Sequence, residues 1–164
     1  MAGRGSQGKT AEKLHGQVAI ASAKEAYQIY KEIFGHERFQ RLADKGGRPQ
    51  RVLWASTSTK NPDYSEVKYV EPLIGPETIN TLPQETLKAY RAHGNPEERL
   101  EQGLEEARKV LELLPEVDMD IDQVTQQLEK EGVEKFNKPY DRLLDTLAKK
   151  RSQALEKKSQ AQGG

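Results

Sequence analysis

Ser56, Thr57, Ser58 and Thr59 run into Lys60, and the turn dipeptide Asn61-Pro62 closes the stretch. Hydroxyls and an ammonium on one polar loop suit the capture of an anion. A serine donates a hydrogen bond to a phosphate oxygen, and a lysine supplies a point charge. The same residues have a plainer use, in which the hydroxyls satisfy turn backbone groups and Lys60 is solvated. Schiff-base chemistry at Lys60 is disfavoured, because a polar loop offers no apolar pocket to lower the pKa of its amine.

The loop needs an element to hold it. Val52-Leu53-Trp54-Ala55 is a short apolar run without charge that empties directly into the hydroxyls, which reads as a buried strand. Some 20 residues on, Gly75-Pro76 introduces a second run, Thr78 to Leu82, and Pro83 stands where the first turn of a helix tolerates a missing N–H. Strand, polar loop, short helical link, strand and helix make a βαβα unit. In parallel sheets the ligand lies beyond the carboxyl ends of such strands.

Around this centre the pattern is helical. From Gln17 to Phe34 apolar residues, Tyr27 and Tyr30 among them, recur at three- and four-residue spacing, and the two tyrosines belong to the core stripe. Shorter helices are expected over Glu37–Lys45 and from Pro83 to His93, the latter started by Thr81 and stopped by Gly94-Asn95-Pro96. A charged helix then runs from about Asn95 to Leu114. Asp120 caps another that ends at Gly132, and a last one runs from Val133 past Leu147 with a kink at Pro139. Residues 1–15 read as a disordered N-terminus and 152–164 as a flexible tail, leaving 16–151 as the folded portion.

Three further patterns carry less. Gly3 to Thr10 matches the phosphate-loop spacing, but a working loop leaves a buried strand and only Met1 and Ala2 precede Gly3. Asp118, Asp120 and Asp122 with Glu129 imitate a calcium loop whose obligatory sixth-position glycine is here Gln123, so an acidic helix N-terminus accounts for them. His15, His36 and His93 stand alone at element ends and read as surface or capping residues, with no metal site.

Composition narrows the classes. At 164 residues the chain is about one domain, well short of the roughly 250 residues of a closed eight-fold β/α barrel. Its 26 Lys plus Arg balance 26 Asp plus Glu, which argues against a nucleic-acid binder. With no cysteine there is no disulfide framework and no thiolate metal site. No long apolar run and no signal-peptide pattern is present, so neither export nor a membrane is indicated and a cytoplasmic location is expected.

The run from Gln50 to Pro62, followed by Tyr69 to Pro83, closely resembles the carboxyl-terminal part of bacterial transaldolases, especially the long subfamily that also occurs fused to phosphoglucose isomerase. The likeness extends from Ala19-Ile20-Ala21-Ser22-Ala23-Lys24 with Tyr27 to Gly132-Val133-Glu134-Lys135-Phe136, about four fifths of the chain. It implies an α/β fold, a partial TIM (β/α)8-type barrel holding the last two strands and the closing helices. Val52–Ala55 would be the seventh strand and Thr78–Leu82 the eighth. It also implies the transfer of a dihydroxyacetone unit from sedoheptulose 7-phosphate to glyceraldehyde 3-phosphate in the pentose phosphate pathway, without a cofactor. A fourth-strand lysine forms the Schiff base in that reaction, and its motif has no counterpart here. Ser56 matches the seventh-strand serine that contacts the substrate phosphate. Lys60 stands near the position of a phosphate-binding arginine, with the bidentate grip lost.

Two readings follow. In the first, the chain is a carboxyl-terminal transaldolase portion that binds sugar phosphates through Ser56 and Lys60, has no catalytic residue of its own and needs the missing amino-terminal barrel portion or self-association to cover its open strand edges. In the second, it is a non-catalytic helical interaction module retaining a vestigial phosphate site.

Overall fold

A computed structural model describes residues 3–162; Met1, Ala2, Gly163 and Gly164, parts of the two expected disordered ends, lie outside the described residues. The chain divides into two units, 1–118 and 119–164. The first holds α1 (Gly3–Leu14), α2 (Val18–Gly35), α3 (Glu37–Ala43), β1 (Val52–Trp54), β2 (Thr78–Asn80), α4 (Gln84–His93) and α5 (Leu104–Glu112), with 3-10 turns at Glu71–Leu73 and Leu114–Val117. The second is one helix, α6 (Ile121–Gln162).

The expected βαβα unit is present. β1 and β2 pair in parallel with Val52 opposite Thr78, Leu53 opposite Ile79 and Trp54 opposite Asn80. Side chains alternate across a strand. Trp54 therefore enters the core while Leu53 and Ile79, neighbours in register, lie 53% and 38% exposed on the opposite face. The core beneath the sheet joins Tyr27 of α2 to Trp54, Leu73 and Leu100. Its two polar aromatic atoms are satisfied: the indole N–H of Trp54 donates to Leu73 O at 3.1 Å, and the Tyr27 hydroxyl donates to Pro76 O at 3.1 Å. A second cluster, Val67, Val70 and Ala89, seats α4. Tyr27 is thus a core residue, as its place on the stripe indicates.

Four expectations are corrected. Residues Gly3–Leu14 form a helix, anchored by buried Leu14 and packed against the 114–117 turn, where Gln7 donates to Asp118 and Thr10 to Glu116. The phosphate-loop look-alike therefore lies inside α1 and has no strand in front of it. The charged helix begins at Leu104 and not at Asn95. Gly103 adopts a left-handed φ of 63°, and the N–H groups of Arg99 and Leu100 both bond Ile74 O at 3.0 Å, drawing Leu100 into the core against Gly75. Gly132 does not stop a helix, since one interior glycine costs only about 1 kcal/mol against alanine and its neighbours are helix formers. The helix also continues through the expected flexible tail to Gln162.

Candidate functional site

β1 and β2 run the same way, so the residues following Trp54 and Asn80 emerge at one end of the sheet. Two side chains tie these exits together. Thr57, 4% exposed, donates from Oγ1 to Asn80 Oδ1 at 2.8 Å; Thr81 bonds Trp54 O through its N–H at 2.9 Å and its hydroxyl at 3.2 Å. Thr57 and Thr81 are therefore structural, though Thr57 bonds a side chain at the other strand and not the turn backbone groups of the plainer reading. Thr81, expected to start α4, is instead spent on the strand exit, and Pro83 occupies the capping position without a side-chain bond.

Ser56 differs. It takes a left-handed φ of 58°, a conformation that L side chains rarely adopt, and it is exposed. It opens onto a hollow of about 190 Å³ between α2 and the sheet end, walled by Ile20, Ala23, Trp54, Tyr69 and Leu73. Lys60 lines a different cleft, also about 190 Å³, shared with Ser58, Thr59, Glu66, Glu85 and Thr86. The structure does not bring Ser56 and Lys60 into one pocket. Two carboxylates border the lysine, which lies exposed with no apolar enclosure.

Lys24 is a charged group that spacing arguments pass over. It sits between Ala21 and Tyr27 on the buried face of α2 and is only 8% exposed. Its ammonium donates to Arg99 O at 2.9 Å and to Gln102 O, so it fastens the segment before α5 to α2. Burial pushes its pKa below the usual lysine value, and the nearby Glu106 carboxylate partly offsets that. The signal was its position in the buried register, three residues from both Ala21 and Tyr27.

The histidines take the surface roles expected of them. His36 Nδ1 accepts from Arg38 N at 3.2 Å and caps α3; exposed His15 meets the Tyr64 hydroxyl at 2.6 Å; His93 lies 3.8 Å from Glu66. Asp120 Oδ1 accepts from Asp122 N at 2.9 Å and Gln123 N at 3.2 Å, a helix cap in place of a calcium ligand. Among the described residues no group of three or more His, Asp or Glu side chains is placed to hold a metal ion, and no helix is long and apolar enough to cross a membrane.

Comparison with known proteins gives this geometry a lineage. The sequence profile of the transaldolase/fructose-6-phosphate aldolase family matches residues 2–147. A transaldolase of Trichodesmium erythraeum is 49% identical over 141 residues, which is 85% of this chain and 37% of the relative. Transaldolase 2 of Nostoc punctiforme is 47% identical over 82% of this chain and 36% of its own length, and a transaldolase of Thiobacillus denitrificans is 50% identical over 80% and 36%. The chain thus spans little more than a third of the curated relatives it matches, and a helix-rich fold with a two-stranded parallel sheet is consistent with part of a barrel. With the profile covering nearly the whole chain, this protein belongs to the transaldolase/fructose-6-phosphate aldolase family.

Proposed function

We propose that this chain supplies the phosphate-binding side of a transaldolase-type sugar-phosphate pocket, and that residues 16–151 are the portion that does so. The observation carrying the proposal is the place of Ser56. It is the second residue beyond β1, its backbone is held left-handed, and it is exposed at the strand end of a family member. A hydroxyl there donates to a phosphate oxygen, and Lys60 adds a cation from the neighbouring cleft at longer range. The donor ketose phosphate and the acceptor aldehyde phosphate are the substrates on this reading, and the compartment is the cytoplasm.

The lysine that forms the Schiff base in this family has no counterpart in the sequence, so the carbon–carbon chemistry falls to strands that this chain does not carry. The amino-terminal barrel portion is its partner, docking on the open edges of β1 and β2 and on the exposed Leu53–Ile79 face. A non-catalytic interaction module is the competing reading, favoured by the separation of Ser56 and Lys60 into two clefts.

Intact mass after incubation with fructose 6-phosphate and borohydride tests the division of labour. The chain alone is expected to show no adduct; an adduct that vanishes in Lys60→Ala would place covalent chemistry here and overturn the reading. Binding of fructose 6-phosphate, followed by phosphorus NMR, is expected to weaken about tenfold in Ser56→Ala, the effect of losing one hydrogen bond to a charged group. Binding that is unchanged in this variant would favour the interaction module.

A further inference from the structure

Among the described residues, three other than glycine hold a left-handed φ, and their supports differ. Asp118, at 57°, closes the 3-10 turn before it, its N–H donating to Leu114 O and Pro115 O. Glu77, at 55°, stands just before β2, and its carbonyl accepts from Val52 N at 3.3 Å. Ser56, at 58°, is held by no such bond, because among the described residues its own amide and carbonyl enter no backbone hydrogen bond. Serine is strained in this conformation where glycine would not be, so its surroundings must impose it.

The contacts able to impose it lie on either flank. Before Ser56, Trp54 O accepts from the Thr81 N–H at 2.9 Å and from Thr81 Oγ1 at 3.2 Å. After it, the hydroxyl of buried Thr57 donates to Asn80 Oδ1 at 2.8 Å. Asn80 and Thr81 are consecutive residues at the exit of β2, so the chain leaving β1 is tied on both sides to one dipeptide. Ser56 turns between these two fixed points. We infer that Asn80, acting through Thr57, is a positioning residue for Ser56: the bond between the two side chains holds the serine left-handed and so fixes where its hydroxyl stands at the strand end. The inference rests on the phosphate reading of Ser56 for its use, though not for the clamp itself. It gives β2 a part in the site without any contact to the ligand, since parallel pairing carries the acceptor on one strand to the loop of the other.

Glycine reports the conformation without a ligand. Ser56→Gly should raise the thermal midpoint of the unit containing Trp54, the one tryptophan, by roughly 4 °C when followed by its fluorescence. In Thr57→Val, which keeps the shape of threonine and loses the donor, and in Asn80→Ala, which loses the acceptor, residue 56 relaxes and the same change should bring no gain. Thr57→Ser keeps the hydroxyl and should restore it. An equal gain in every background, or none in the parent chain, would overturn the inference. Fructose 6-phosphate binding, followed by phosphorus NMR, is the second readout. Thr57→Val should weaken it about tenfold, as Ser56→Ala does, and the two changes together should be no worse than Ser56→Ala alone. Losses that add would show that Thr57 acts apart from Ser56, which also overturns the inference. If Ser56→Ala leaves binding unchanged while the glycine gain still depends on Thr57 and Asn80, the clamp is upheld and the phosphate reading of Ser56 falls.

Discussion

Two buried ionisable groups on α2 pull the alkaline stability of this protein in opposite directions. Tyr27, 3% exposed, has its pKa raised above 10.0 by burial and then by the Glu101 carboxylate, against a smaller lowering by Lys31. A raised folded pKa gives stability that is complete below 10.0 and is lost as the pH climbs through the folded value. Lys24 has its pKa lowered from 10.5, so its contribution is greatest above 10.5 and is lost as the pH falls through the folded value. Tyr27→Phe separates the two. At neutral pH the variant should be about 1 kcal/mol less stable for want of the hydrogen bond to Pro76 O. Above pH 10.0 the gap should close, because only the parent chain still loses stability to phenolate formation. Thermal midpoints at neutral pH and at pH 10.5 read this, and a gap constant across the range would show that Tyr27 is not the titrating group.

At the scale of elements, what the sequence made legible was whatever a short window decides. The strand ending at Trp54 and the helix of Tyr27 follow from apolar periodicity, and Gly94 and Asp120 mark their helix boundaries by local chemistry. What failed was decided at a distance. Leu100 belongs by spacing to the α5 stripe, yet contact with Gly75 and two hydrogen bonds to Ile74 O take it into another core. Gly3–Leu14 has the composition of a loose end, and its helix rests on burial of Leu14 and contacts with residues 114–117, which no window spans. The hydroxyl run was legible as a candidate site, but its partition was not. Thr57 is consumed by Asn80, and the left-handed turn at Ser56 precedes a loop that carries Lys60 into a separate cleft. Asp120→Ala tests the local kind of signal. It removes a side-chain acceptor from two amides at the start of α6 and should cost about 1 kcal/mol, seen as lost helical circular dichroism and a lower midpoint for that unit.

For the molecule as a whole, the sheet is covered on its Trp54 face and partly exposed on the other. Two three-residue strands cannot close a barrel, and among the described residues the face bearing Leu53 and Ile79 is only partly covered. Co-production with the amino-terminal portion of a transaldolase relative should therefore yield a complex with transaldolase activity, and Leu53→Asp with Ile79→Asp should abolish both. A complex that forms equally well with those substitutions would show that the sheet face is not the docking surface. The boundary after Asp118 carries a last implication for how such results are read. Beyond it lie 42 of the 164 residues in a single helix, whose large apolar side chains Phe136, Tyr140 and Leu143 are exposed. A helix that draws little from tertiary packing is expected to lose its signal on heating before the α2–sheet core does, so circular dichroism and Trp54 fluorescence should report two separate transitions. One melting midpoint would then describe only one of the two units.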